Sequence, residues 1–385
     1  MVQIVVIPWR FSGRRMRGLR DSSGFFLCIP QRWMVGAGLM LALFIPGLTG
    51  CSNTLYYMNA LSGHAQLLNA QRPLEEVLAD PAVSAQTRSR LKSLQAARDF
   101  ASRELGLPDN DSYRSYADLG RPYAVWNVVA ASPYSLKPKQ WCFIFVGCIS
   151  YRGYYRREQA QAYADQLRAQ GLDVQVAGAR AYSTLGWSND PLLNTMLYRS
   201  EARRVGIVFH ELAHQQLFIR GDTTFNESFA SVVEQAGVRR WFLAQGKLAP
   251  YQAYMDERQR DIHFRQMLLQ TRQKLQRLYR QKMDKPETDM REEKARIFAE
   301  LKQTFARMKK NQPGFSVYDH WMAQDLNNAH LALVATYSED VPALRQLLQS
   351  KQGDLRAFYR AADDLAHEDK QKRKILLQQW AKNKP

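Results

Sequence analysis

The chain of 385 residues carries a net charge of +18, with 54 Lys and Arg against 36 Asp and Glu. So basic a balance raises nucleic acid as a partner, but no nucleic-acid motif accompanies it and an export signal at the amino terminus argues against that compartment. Attraction to anionic lipid or the cell envelope remains, beside the plainer reading of a solvated helical face between Arg258 and Lys310.

Residues 1–33 hold six Arg and one Asp, which leaves +13 on the rest of the chain. Met34 to Leu48 is uncharged and mostly apolar, and Leu48-Thr49-Gly50-Cys51 looks like a bacterial lipobox. Basic, then apolar, then small residues is the order of a secretory signal. The apolar run is shorter than the roughly 20 residues of a membrane-spanning helix, and Pro46 and Gly47 would end a helix before the cysteine. Residues 1–50 are therefore expected to be a lipoprotein-type signal peptide, with Met16 an alternative start. Cys51 would carry the lipid and open a mature chain of residues 51–385, long enough for a substantial core. Ser52 is not the Asp that bacterial sorting rules associate with inner-membrane retention. An outer-membrane anchor facing the periplasm is the expectation.

The fold expected of the mature chain is α+β and predominantly helical. Tyr56 to Leu68, Leu74 to Leu78 and Ser84 to Leu105 read as helices, the last ended by Gly106 and Pro108. Tyr123 to Ala131 and Trp141 to Ser150, rich in β-branched and aromatic residues, read as strands. Cys142 and Cys148 are expected to form a disulfide clamping a local loop in an oxidising periplasm; a second zinc site is the weaker alternative. A helix from Arg157 to Ala169 leads through Gly171 to a strand over Asp173 to Ala177. The result is a small β-sheet ahead of the next helix, whose edge could hold an extended peptide substrate.

That next helix contains His210-Glu211-Leu212-Ala213-His214. Residues four apart share a helix face, so His210 and His214 can reach one metal ion, while Glu211 leans toward the same cleft. Ala202, Val205, Gly206, Val208 and Phe209 make the helix apolar upstream, and Leu217, Phe218 and Ile219 are expected to continue it. A hydrolytic zinc ion takes three protein ligands and keeps one open position. Arg220 to Thr224 reads as a stop, turn and N-cap cluster, and Phe225 to Glu234 as a second helix bearing two carboxylates. Glu227 follows His214 after 12 residues and Glu234 after 19; seven apart, both can face the first helix. One zinc ion per chain is the expected cofactor, acidifying a water whose proton Glu211 accepts as general base.

These residues carry a resemblance. His210-Glu211-Leu212-Ala213-His214-Gln215 followed by Asn226-Glu227-Ser228-Phe229-Ala230 resembles the gluzincin metallopeptidases, and Trp141 to Trp241 resembles a bacterial family of zinc-dependent aminopeptidases that are lipoproteins. The matching segments are Trp141-Cys142 with Gly147-Cys148, Tyr151-Arg152-Gly153-Tyr154, Ala181-Tyr182-Ser183-Thr184-Leu185-Gly186-Trp187, Asp190-Pro191-Leu192-Leu193 and Gly221-Asp222-Thr223. The resemblance implies a zincin-like fold with Glu227 as third ligand, although the gluzincin spacing, about 18 residues, is closer to Glu234. Glu234 would then accept the N–H of a ligand imidazole. Gluzincins usually supply an oxyanion donor from elsewhere in the chain, and Tyr182 and Tyr337 are the candidates. The exopeptidase reading rests on the resemblance; a free substrate ammonium would need carboxylates such as Glu201 or Asp222. A zinc endopeptidase of the envelope and a non-catalytic zinc lipoprotein are the alternatives.

Beyond Trp241, Tyr251 to Met283 and Glu287 to Lys309 read as long charged helices separated by Lys285-Pro286, a basic helical hairpin over residues 251–310. Asn311 to Gly314 breaks the pattern and Val317 to Leu333 is expected to resume a helix. Val341 to Leu348 and Gly353 to Ala366 read as core-facing helices, followed by a basic tail.

Overall fold

The computed structural model describes residues 51–382 apart from 144–146, 182, 187, 282–285 and 335–339. The leader, and the tyrosines 182 and 337 singled out as oxyanion donors, lie outside the described residues. The chain is α+β and predominantly helical. In chain order, α1 (Cys51–Asn69), β1 (Gln71–Pro73), α2 (Leu74–Ala79) and α3 (Ala85–Arg103) are followed by β2 (Ser115–Ala117), β3 (Val125–Ala131), β4 (Trp141–Phe143), β5 (Gly147–Ile149) and β6 (Arg152–Tyr154). Then come α4 (Arg157–Ala169), β7 (Asp173–Ala179), β8 (Leu192–Leu193), α5 (Glu201–Gln216) and α6 (Thr223–Ala244). The remainder is helical: α7 (Leu248–Arg280), α8 (Glu287–Asn311), α9 (Asp319–Met322), α10 (Asn328–Ala332), α11 (Val341–Ser350), α12 (Leu355–His367) and α13 (Lys370–Lys382).

Helix α5 is the centre of the molecule. Every residue from Val205 to His214 is buried, so this stretch of the helix has no solvent face, and α3, α6 and α7 pack around it. Two glycines let α6 approach closely. A Cβ on Gly206 would stand 3.0 Å from Glu234 Oε1, and one on Gly237 would stand 2.7 Å from the Phe209 ring and 2.8 Å from Leu105. Gly237→Ala should therefore wedge the helices apart and cost about 1–3 kcal/mol, read as a lower urea midpoint. An unchanged midpoint would show that Phe209 and Leu105 yield freely.

The expected single sheet is three small ones among the described residues. β6, β3 and β7 form an antiparallel sheet with Val125 to Ala131 paired along β7; β1 and β8 flank β2; β4 and β5 form a hairpin. Trp141 to Ser150 is thus not one strand. Cys142 lies opposite Cys148 in the β4–β5 register and is disulfide-bonded to it.

Three other expectations are corrected. Helix α5 stops at Gln216 instead of running through Ile219, because Leu217 turns to extended backbone. The stop is enforced from the next helix: Ile219 N–H donates to Asn226 Oδ1 and Asn226 Nδ2 donates to the Ile219 carbonyl, both at 2.8 Å. The helix expected over Val317 to Leu333 is broken before Asn327, whose side chain caps α10, while Asn328 Nδ2 donates to the carbonyls of Ser132 and Pro133. Tertiary bonds to the β3–β7 sheet outweigh continuation of the helix. Finally, the basic tail is the ordered helix α13. Buried Arg373 anchors it through Asp222 Oδ2 at 2.7 Å and the carbonyls of Leu365, Ala366 and Glu368.

Candidate metal centre

His210 and His214 project from one face of α5 toward Glu227 and Glu234 on α6, and all but Glu234 are almost fully buried. His210 Nε2 lies 3.1 Å from His214 Nε2 and 3.4 Å from Glu227 Oε2, and His214 Nε2 lies 3.8 Å from Glu227 Oε1. An ion with four bonds of about 2.1 Å spaces its ligand atoms by roughly 3.4 Å, so the three side chains fit one small divalent cation. Glu227 Oε2 has no hydrogen-bond partner among the described residues despite its burial, which is expected of a group built to bind something else.

Charge points the same way. Burial opposes ionisation throughout, yet the neighbouring His210 holds the Glu227 carboxyl below the usual range and its hydrogen bond holds Glu234 down at about 2, the latter helped by Arg258 and Arg203. For His210 burial again opposes charge, but Glu227 and Glu234 raise it to about 10; His214 is pushed down to about 3 by burial and by His210. A buried pocket that binds a proton this tightly is a pocket for positive charge. A divalent cation satisfies it with both imidazoles neutral.

The two carboxylates have different places. Glu227 faces the Nε2 atoms, whereas Glu234 Oε2 is 3.2 Å from His210 Nδ1, on the far side of the ring. Glu234 therefore orients His210 and is itself held by Tyr254, whose hydroxyl donates to Oε1 at 3.5 Å with Arg258 behind it at 3.4 Å. Glu234→Gln should weaken divalent-cation binding roughly 10- to 100-fold, measured by competition with a chromogenic chelator. Wild-type affinity in that variant would deny Glu234 its orienting part.

Why does Glu227 reach the histidines after only 12 intervening residues? The connection is a six-residue turn, 217–222, locked by Asn226 as above and closed by Gly221 at φ +78°, where a side chain would be strained. Asp222 then caps α6 by accepting from Phe225 N–H at 3.3 Å. With so short a turn the first helical turn of α6 lies beside the last turn of α5.

Two residues suggested as ammonium ligands are committed elsewhere. Asp222 is tied to Arg373, and Glu201 accepts from Ser93 at 3.2 Å near Lys247, nine residues and so roughly 13 Å along the helix from His210. Conversely, two buried tyrosines that the sequence reading passed over lie in the field of the site. Burial raises the Tyr151 hydroxyl well above its usual range, with Glu227 and Glu211 adding to the effect; burial, Asp190 and Glu211 do the same to Tyr113. Tyr151 opens a segment already matched to the zinc-aminopeptidase pattern, and that was its only signal. Tyr113 sits at φ +65°, a conformation that leaves no trace in the sequence.

A family model described as "Putative aminopeptidase" matches residues 55–377. The chain belongs to this aminopeptidase family. The match takes in all three converging side chains, Glu211 and Glu234, and also the α7–α8 hairpin. Neither a curated protein nor a solved structure matches the chain. No helix among the described residues is long and apolar enough to cross a membrane.

Proposed function

We propose that this aminopeptidase-family chain is a zinc-dependent, gluzincin-like aminopeptidase with a zincin-like core over residues 51–385. In this reading it is anchored to the bacterial outer membrane by lipid on Cys51 and faces the periplasm. The observation that carries the reading is the convergence of His210 Nε2, His214 Nε2 and a Glu227 carboxylate oxygen, all within 4.8 Å of one another, beside buried Glu211. His210, His214 and Glu227 would hold the ion. Zinc bound there acidifies water and polarises a peptide carbonyl.

The remaining work falls to side chains of this chain. Glu211 is one residue, about 100° of helix, from His210, so it stands beside the ligand face and outside it. Its carboxylate takes a proton from the attacking water and returns it to the departing amine. Glu234 fixes the His210 ring with Nε2 turned inward.

The test is direct. Purified protein should contain one zinc ion per chain and hydrolyse L-leucine p-nitroanilide but not its N-acetyl derivative. Equal cleavage of both would make it an endopeptidase, and zinc without hydrolysis across a peptide library would leave a non-catalytic zinc lipoprotein.

A further inference from the structure

Within the electrostatic reach of Glu211 lies a second buried carboxylate. Asp190 is 1% exposed. Its Oδ2 accepts from the Thr184 N–H at 2.8 Å and the Ser183 hydroxyl at 3.3 Å, whereas its Oδ1 has no hydrogen-bond partner among the described residues. A buried carboxylate with one oxygen satisfied and the other bare is costly unless a donor arrives to complete it. Neither Lys nor Arg is paired with it among the described residues.

Asp190 belongs to the wall of the site. Glu211 and Gln215 are one helical turn apart on α5 and share a face. Gln215 Nε2 donates to Ser112 Oγ at 3.2 Å, and Ser112 Oγ in turn accepts from the Asp190 N–H at 3.4 Å. Asp190 is thus two hydrogen bonds from the residue that follows His214. The wall is stiff: buried Arg98 donates to the carbonyls of Ser112, Pro108 and Asn110, and the Tyr113 N–H donates to the Asp190 carbonyl. Tyr113, in its left-handed conformation, lies in the field of both Asp190 and Glu211. Backbone strain at a buried residue between two carboxylates is maintained by its surroundings and is common at ligand-binding walls.

We propose that Asp190 Oδ1 is the acceptor for the free α-ammonium of the peptide substrate. The assignment rests on the aminopeptidase reading and supplies it with the carboxylate that Glu201 and Asp222 do not provide. A substrate amine on Asp190 would stand in the field of Glu211, the same carboxylate that flanks the triad. A chain whose amine is acylated brings no charge and keeps only the single N–H of a planar amide in place of the three donors of an ammonium.

The experiment uses the full-length zinc-loaded protein and Asp190→Asn, which keeps an acceptor for Thr184 and removes the ionisable carboxyl. Zinc content should stay at one per chain while kcat/KM for L-leucine p-nitroanilide falls roughly 30- to 1,000-fold, chiefly through KM. Product inhibition supplies a second readout. Inhibition by L-leucine should weaken by a similar factor, and that by 4-methylpentanoate, its deaminated analogue, should not change. Parallel weakening of both inhibitors, or of neither, overturns the assignment in favour of a loop brace. Should the Asn variant fail to fold, Asp190→Glu, which keeps the carboxyl but moves it by one methylene, must show the same selective loss of leucine inhibition. Wild-type protein that cleaves acetylated and free substrate alike, or neither, overturns the aminopeptidase reading and this assignment together. Discrimination that survives in the Asp190 variants overturns the assignment alone.

Discussion

Glu211→Gln should lower peptide hydrolysis about 10²- to 10⁴-fold while leaving metal content and melting temperature unchanged. The amide has the size and nearly the shape of the carboxylate, so the packing of buried α5 survives, but it cannot accept a proton at neutral pH. Nor should the ion be lost, because the three atoms that converge come from His210, His214 and Glu227, and Glu211 is not among them. Metal analysis and single-substrate kinetics on one preparation check both halves. A variant with wild-type turnover removes Glu211 as the base, and one that loses the ion makes it a ligand.

The site was legible in the sequence where its chemistry follows from short spacing along helices. His210, Glu211 and His214 lie within five residues of one another, and helix geometry alone fixes their relative directions. Glu227 and Glu234 lie seven apart on α6, so their common facing toward α5 was legible too; which of them approaches Nε2 was not, because that depends on the turn. Asn226 decides it by locking Ile219 in place with two hydrogen bonds, and no local pattern announces a side chain that stops the preceding helix. The wall of Asn110 to Tyr113 and Ser183 to Asp190 was illegible for a similar reason. It is brought to α5 by Arg98, 12 residues before Asn110, and by contacts across more than 70 residues between Ser112 and Asp190. Long-range hydrogen bonds also account for the misread helices, since Asn327 and Asn328 bond to the sheet through side chains whose local sequence is compatible with a continuous helix.

Glu227→Ala should abolish stoichiometric zinc, and with it hydrolysis, whereas Glu234→Gln should only weaken binding. The two nitrogens of His210 point in divergent directions, with Nε2 facing His214 and Glu227 and Nδ1 facing Glu234. A cation at Nε2 is therefore out of reach of Glu234, however well its spacing matches that of gluzincins. Stability supplies a readout independent of turnover. An ion held by the folded state alone adds about 2.7 kcal/mol at a free concentration 100 times its Kd, so a chelator should lower the wild-type melting temperature measurably. Glu227→Ala has no such ion to lose, and its melting temperature should be the same with and without chelator. It should also start lower than that of chelated wild type, because His210 loses the carboxylate that holds its proton while staying buried. Chelator-sensitive melting in Glu227→Ala, together with one zinc ion per chain, would transfer the third ligand to another side chain and reduce Glu227 to the partner of a structural imidazolium.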